Sequence, residues 1–156
     1  MRAVLQRCAR AEVRVDGRVV GSCGRGLLVL LGVGRDDDDA TAAGLARKVA
    51  ELRIFDDADG RTNLSLLDVG GGALVVSQFT LYADTRRGRR PGFTDAAPPA
   101  EAERLYGAFA DALAALGPRV GRGRFGAEMA VELVNDGPFT IWLDTADRPV
   151  LPPPAP

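Results

Sequence analysis

With 156 residues, the chain can bury one proper core, and its 46% hydrophobic and 26% charged residues suit a soluble globular protein. A net charge of −1 and a pI near 5.5 provide no global basic field, so no DNA partner is expected. Histidine is absent, which removes every Ser–His or Cys–His nucleophile pair, and two cysteines alone leave too few zinc ligands. No metal and no other cofactor is expected.

The opening MRAVLQRCAR lacks the apolar core of a signal peptide, which argues against export. No apolar run approaches the roughly 20 residues of a membrane span. Cys8 and Cys23 are too few for a disulfide framework and suit a reducing cytoplasm. Ala3–Val15 alternates as a strand, Asp16-Gly17 signals a hairpin turn, and Arg18–Ser22 returns. Leu27–Val33 (LLVLLGV) is a continuous apolar run, the pattern of a strand buried on both faces. The carboxylates Asp36–Asp39 read as a helix N-terminus in preference to a metal site, because acids there complement the helix dipole. Leu45, Val49 and Leu52 then recur at helical spacing, predicting a helix over Thr41–Arg53.

Arg53–Phe55 is a short strand and Asp56–Gly60 (DDADG) a turn; the closing glutamate of a calcium-binding EF-hand loop is missing. Gly70–Gly72 is a turn as well, since no Gly-Lys-Ser/Thr of a phosphate loop follows it. The chain then enters Gly72–Asp84, GALVVSQFTLYAD. Leu74–Val76 predicts another buried strand, which turns polar at Ser77, Gln78 and Thr80. Polar side chains at the end of a core strand are costly unless partnered or used, which marks this end as a candidate site.

Asp84–Ala97 is a glycine- and arginine-rich loop with Arg86, Arg87, Arg89 and Arg90; Arg119, Arg122 and Arg124 form a second cluster. Each reads either as a solvated loop or as a rim for phosphates. Pro98-Pro99 opens a helix to about Leu116, with Leu105, Phe109 and Leu113 on one stripe, and Gly117-Pro118 ends it. Glu128–Val134 predicts a strand, Asp136-Gly137-Pro138 a reversal, and Phe139–Leu143 the closing strand. Asn135–Thr140 (NDGPFT) thus offers turn residues with a hydroxyl at the end, and is expected to share one site with Ser77–Thr80. The fold class is α/β: residues 1–145 form a single mixed domain of layered β-sheets with two crossover helices. Residues 146–156 form a proline-rich tail, expected to be disordered.

Several motifs, in order, now carry a resemblance: MRAVLQR, GRGLLVLLGV, RIFDDADGRTN, VVSQFTLYADT, RGRRPGF, GRFGAEM and NDGPFT. Together they resemble the bacterial and eukaryotic D-aminoacyl-tRNA deacylases over nearly the whole of Met1–Thr145. Thr62 stands where that family usually has methionine, and Gly92 where serine is common. The resemblance implies a cytoplasmic homodimer that hydrolyses the ester between a D-amino acid and tRNA, and that also acts on glycine misattached to tRNA. Aminoacylated tRNA is then the partner. Ser77, Gln78, Phe79 and Thr80 match the family's SQFTL motif. Gly137 and Pro138 match its cross-subunit motif, in which a cis Gly–Pro bond enters the partner's active site and rejects L-amino acids.

The residues leave the nucleophile open. In a regular strand Gln78 and Thr80 would share one face and Ser77 and Phe79 the other. Thr80 could attack the ester, yet no base lies beside it in sequence. Water is the preferred nucleophile, with the substrate's 2′-hydroxyl assisting and backbone N–H groups near Phe79 stabilising the oxyanion. Ser77 and Gln78 are expected to position substrate. Arg7, Asn135 and Thr140 are supporting candidates, Arg7 as a brace for the Gly–Pro turn. Tyr82 and Trp142 read as core or interface aromatics. The rival functions are a threonine-nucleophile esterase or amidase on small substrates, and a tRNA-binding module without catalysis.

Overall fold

The computed structural model describes Met1–Asp147. Alternation builds the first strand, β1 (Arg2–Val15), whose Ala3, Leu5, Ala11 and Val13 are buried. The alternation breaks once: Arg7 and Cys8 are both buried, and Ala9 and Arg10 are both exposed. Asp16 and Gly17 take φ of 51° and 74°, the left-handed pair that a tight hairpin demands, and lead into β2 (Arg18–Cys23). The apolar run forms β3 (Gly26–Gly32), antiparallel to the first half of β1.

Asp38 caps α1 (Asp39–Glu51): its carboxylate accepts from the Thr41 backbone N–H at 2.8 Å, as the acidic run predicts. A small hairpin, β4 (Phe55–Asp56) with β5 (Thr62–Leu64), follows. The central strand β6 (Gly72–Ser77) lies parallel to β3. α2 (Pro99–Ala115) crosses back to β7 (Val120–Arg122), parallel to β6. Both helices are therefore crossovers between parallel strands. β8 (Ala130–Asp144) runs along the other side of β1. The sheet order is β2-β1-β3-β6-β7, with β8 on β1.

Two expectations need correction. Asp136-Gly137-Pro138 does not reverse the chain: both flanking segments pair antiparallel with β1, so they are one strand with a bulge. And the strand that begins at Gly72 stops at Ser77, where a 3-10 turn over Phe79–Tyr82 replaces it. β5 and β7, absent from the sequence reading, are three-residue strands that carry no period to read. The tail expected from Ala146 lies, from Arg148 on, outside the described residues; Ala146 and Asp147 form a turn hydrogen-bonded to Asp144.

The sheet has a core on each face. Leu27, Val29, Leu31, Ala73 and Val75 face the helices, meeting Leu45, Val49, Leu105, Phe109 and Leu113. Leu28, Leu74 and Val76 face a smaller core with Cys8, Ala11 and Val13. No helix among the described residues is long and apolar enough to cross a membrane. β3 and β6 approach so closely at their start that a Cβ on Gly26 would sit 1.8 Å from the Gly72 carbonyl oxygen. Gly26→Ala is expected to force the strands apart at a cost of about 3 kcal/mol. A urea unfolding midpoint equal to that of the parent would contradict this packing.

Candidate active site

The polar end of β6 forms where its partners run out. β3 ends at Gly32, and the last strand contact is the Gln78 N–H donating to the Leu31 carbonyl at 2.7 Å. With no further neighbour, the backbone closes on itself: Leu81 N–H donates to the Gln78 carbonyl at 3.2 Å and Ala83 N–H to the Thr80 carbonyl at 3.0 Å. Such a turn leaves its first N–H groups, those of Phe79 and Thr80, without a partner inside the turn. Ser77 and Gln78 are half-buried, while Phe79 and Thr80 are exposed.

The Gln78 amide donates to the Thr80 hydroxyl oxygen. An amide N–H cannot accept a proton, and among the described residues no carboxylate hydrogen-bonds to Thr80. Among the described residues, then, no base holds the threonine hydroxyl. Phe79 is exposed but steadied by Phe93, edge-on with centroids 4.9 Å apart. Phe93 follows the arginine loop, whose base is closed by paired bonds of 2.7 and 2.9 Å between Asp84 and Gly92. Arg86 folds back on Asp84, holding that carboxyl well below the usual carboxylate range. Arg87, Arg89 and Arg90 are exposed beside Phe79's partner. No sequence signal tied Phe93 to Phe79, because the contact spans an irregular loop.

Tyr82 closes the turn. Arg2 stacks on its ring at 4.4 Å, donates to the Leu81 carbonyl at 3.0 Å, and pairs with Asp144 at 2.8 Å. Burial, and then Asp37, push the Tyr82 hydroxyl above its ordinary range, so it stays protonated. Tyr82 is half-buried; Trp142 is 49% exposed and thus no part of this protomer's core.

The second stretch is built by Arg7. Between the pairs Gln6↔Thr140 and Cys8↔Asn135, residues Asp136–Phe139 bulge out of the ladder opposite Arg7. The Arg7 side chain, on the helix-side face, is nearly fully buried. Its guanidinium donates to the carbonyls of Asp136 (3.1 Å) and Ile54 (2.8 Å). It also pairs with the carboxylates of Asp136 (3.0 Å) and Asp56 (3.4 Å) and stacks on Phe139 at 4.4 Å. Asn135 donates to the carbonyls of Arg7 (2.9 Å) and Phe139 (3.2 Å), and Thr140 accepts from Gln6 at 3.2 Å. Thr62 donates to Asp56, one of Arg7's partners. The Gly137–Pro138 bond at the crest is cis, and both residues are exposed.

One protomer does not bring the two stretches together. Ser77 lies level with Leu31, Ala3 and Leu143, whereas the bulge sits opposite Arg7. Three strand spacings of about 4.8 Å across, and four residues of about 3.3 Å along, separate them by roughly 20 Å.

Comparison with known proteins decides the family. The family model for D-Tyr-tRNA(Tyr) deacylase matches residues 4–144. This chain belongs to that family. A D-aminoacyl-tRNA deacylase of Roseiflexus castenholzii is 66% identical over 94% of this chain and 93% of its own. One of Dinoroseobacter shibae is 65% identical over 92% of this chain and 99% of its own. A solved structure named c-Myc DNA unwinding element binding protein superposes with a TM-score of 0.87 at 39% identity, covering 92% of this chain and 98% of that one.

Arg7→Lys tests the brace. Lysine keeps the charge but loses the fork and the ring stack, and about 2 kcal/mol of stability should go with them. Faster amide exchange at Asn135 and Phe139 should accompany the loss; unchanged exchange there would separate Arg7 from the bulge.

Proposed function

We propose that this protein hydrolyses the ester between a D-amino acid and the terminal ribose of tRNA, in the cytoplasm and as a homodimer. Family membership carries the reading, and the geometry supports an assignment of parts. The aminoacyl ester lies at the polar end of β6, where Ser77 and Gln78 position it. Water attacks the carbonyl carbon, assisted by the neighbouring 2′-hydroxyl of the substrate. The partner-free N–H groups of Phe79 and Thr80 stabilise the oxyanion. The bond to the ribose oxygen then breaks, that oxygen takes the proton, and a free D-amino acid and tRNA leave.

Chirality is read by a second copy. The exposed Gly137–Pro138 crest is too far from Ser77 of its own chain, so it serves the site of the other subunit. Its backbone carbonyls form a wall where the side chain of an L-amino acid would lie, and unlike side chains they cannot rotate away. A D side chain points outward, which predicts tolerance of many D-amino acids. Glycine has no side chain on either hand and passes the wall, so glycyl-tRNA is cleared as well. Arg87, Arg89 and Arg90 contact the tRNA phosphates.

The deciding experiment is deacylation of D-tyrosyl-tRNA and L-tyrosyl-tRNA side by side, without added metal. Rapid loss of the D ester with the L ester intact is expected. Loss of both would remove the wall, and loss of neither would leave a binding module. A Cβ on Gly137 would meet only the Asn135 side-chain oxygen, at 3.6 Å, so Gly137→Ala should fold normally. It should nevertheless lose most D-tyrosyl-tRNA deacylation, because the methyl stands where the backbone must come close; full activity would sink the wall. Thr80→Ala, by contrast, should lower kcat by less than about tenfold, or 1.4 kcal/mol. A complete loss with tRNA binding retained would restore the threonine nucleophile.

A further inference from the structure

Away from this site the structure brings two free thiols together. Cys8, on β1, is fully buried, and Cys23, the last residue of β2, is half-buried. Their Sγ atoms are 3.9 Å apart, close to van der Waals contact. Cys8 Sγ faces the Gly24 carbonyl at 3.9 Å and Cys23 Sγ the Leu27 carbonyl at 3.8 Å, so both sulfurs point into the same narrow space. A groove of about 630 Å³ opens beside Cys23, lined by Arg25, Arg119 and Gly70–Gly72. This groove lies where β3 and β6 begin, at the opposite end of β6 from Ser77. A small oxidant can therefore reach Cys23 from solvent, whereas Cys8 is fully buried.

The two thiols are also differentiated. The hydrogen bond from Cys23 holds the Cys8 thiol below its ordinary range, while the same contact and burial push Cys23 up. Solvent access and not acidity therefore places the first oxidation at Cys23, and Cys8 is the stronger attacking thiol in the second step. A disulfide needs a sulfur separation of about 2.05 Å, within reach of a side-chain rotation and a small shift of the β2–β3 turn.

We propose that Cys8 and Cys23 are a modification site for peroxide, forming a reversible disulfide within one chain. The Cys23 sulfur takes the terminal oxygen of the peroxide; the O–O bond breaks, one water leaves, and Cys23 becomes a sulfenic acid. The Cys8 sulfur then attacks the Cys23 sulfur. The S–S bond forms, the S–O bond breaks, and hydroxide leaves with the Cys8 proton as a second water. The pair gives up two electrons and the peroxide is reduced to two waters. A dithiol reverses the step by exchange. The bond ties the β2–β3 turn to β1 at Cys8, the residue paired with Asn135 beneath the bulge.

The test is mass spectrometry on the full chain treated with hydrogen peroxide and then alkylated with iodoacetamide after denaturation. The expected product has lost two hydrogens, takes no alkyl group, yields a peptide linking Cys8 to Cys23, and regains both thiols with dithiothreitol. In Cys8→Ala the sulfenic acid has no resolving partner, and dimedone should trap it on Cys23. Cys23→Ser, at the half-exposed position, should leave Cys8 reduced and alkylatable; it keeps the question answerable if Cys8→Ala does not fold. Two alkylatable thiols after peroxide, oxygen added to both sulfurs without a link, or a bond between chains would each overturn the proposal.

Discussion

The structure turns on a buried cation. Removing a guanidinium from water is expensive unless its donors are met, and Arg7 is met by two carbonyls, two carboxylates and an aromatic face. Those partners come from three places, the loop after α1, the small hairpin and the bulge, so one side chain fixes all three relative to β1. The same break in register inverts which residues of β8 face inward. Val131 and Leu133 pack against the smaller core, whereas Phe139, Ile141 and Leu143, of the same parity, pack against the helix-side core. β1 makes the matching change between Cys8 and Arg10. Together these two irregularities let two long strands serve both cores, and the one in β8 lifts Gly137–Pro138 into solvent.

The other end of the sheet obeys a simpler rule. A central strand can continue only while it has neighbours; β7 leaves β6 after Val75, and β3 bonds to it only as far as Gln78. Its backbone must then satisfy itself, and a tight turn is the shortest way to do so. The result is a set of polar side chains and backbone N–H groups on a rigid base, walled by Phe79 and Phe93. Precision at this position comes from the buried run Ala73–Val76 behind it, which fixes where the turn begins.

Much of this was legible in the residues. Continuous apolar runs gave β3 and β6, helical spacing gave both crossovers, and the acidic run gave the cap of α1. The polar end of β6 stood out for the cost of burying it. What could not be read was decided by partners distant in sequence. Phe-Thr-Leu-Tyr has the period of a strand, and only the absence of a neighbour makes it a turn. Asn-Asp-Gly-Pro has the composition of a reversal, and only β1, pairing with both sides of it, makes it a bulge. Arg7 looked like a brace without its carboxylate and carbonyl partners being evident, because Ile54 and Asp56 reach it through the fold and not through spacing.

That dependence on distant partners has a consequence for synthesis. Arg2 and Asp144, which pair across β1 and β8, are 142 residues apart in sequence. While the chain is being made, β1 has β2 and β3 on one side and nothing on the other. Its open edge, with the Arg7 cation unpaired by Asp136, must wait until nearly the whole chain has left the ribosome. Such an edge invites pairing with other nascent chains. The Gly137–Pro138 crest takes its shape only when that last strand docks, so a chain cut short before β8 would keep the residues of the polar end of β6 yet lack the crest.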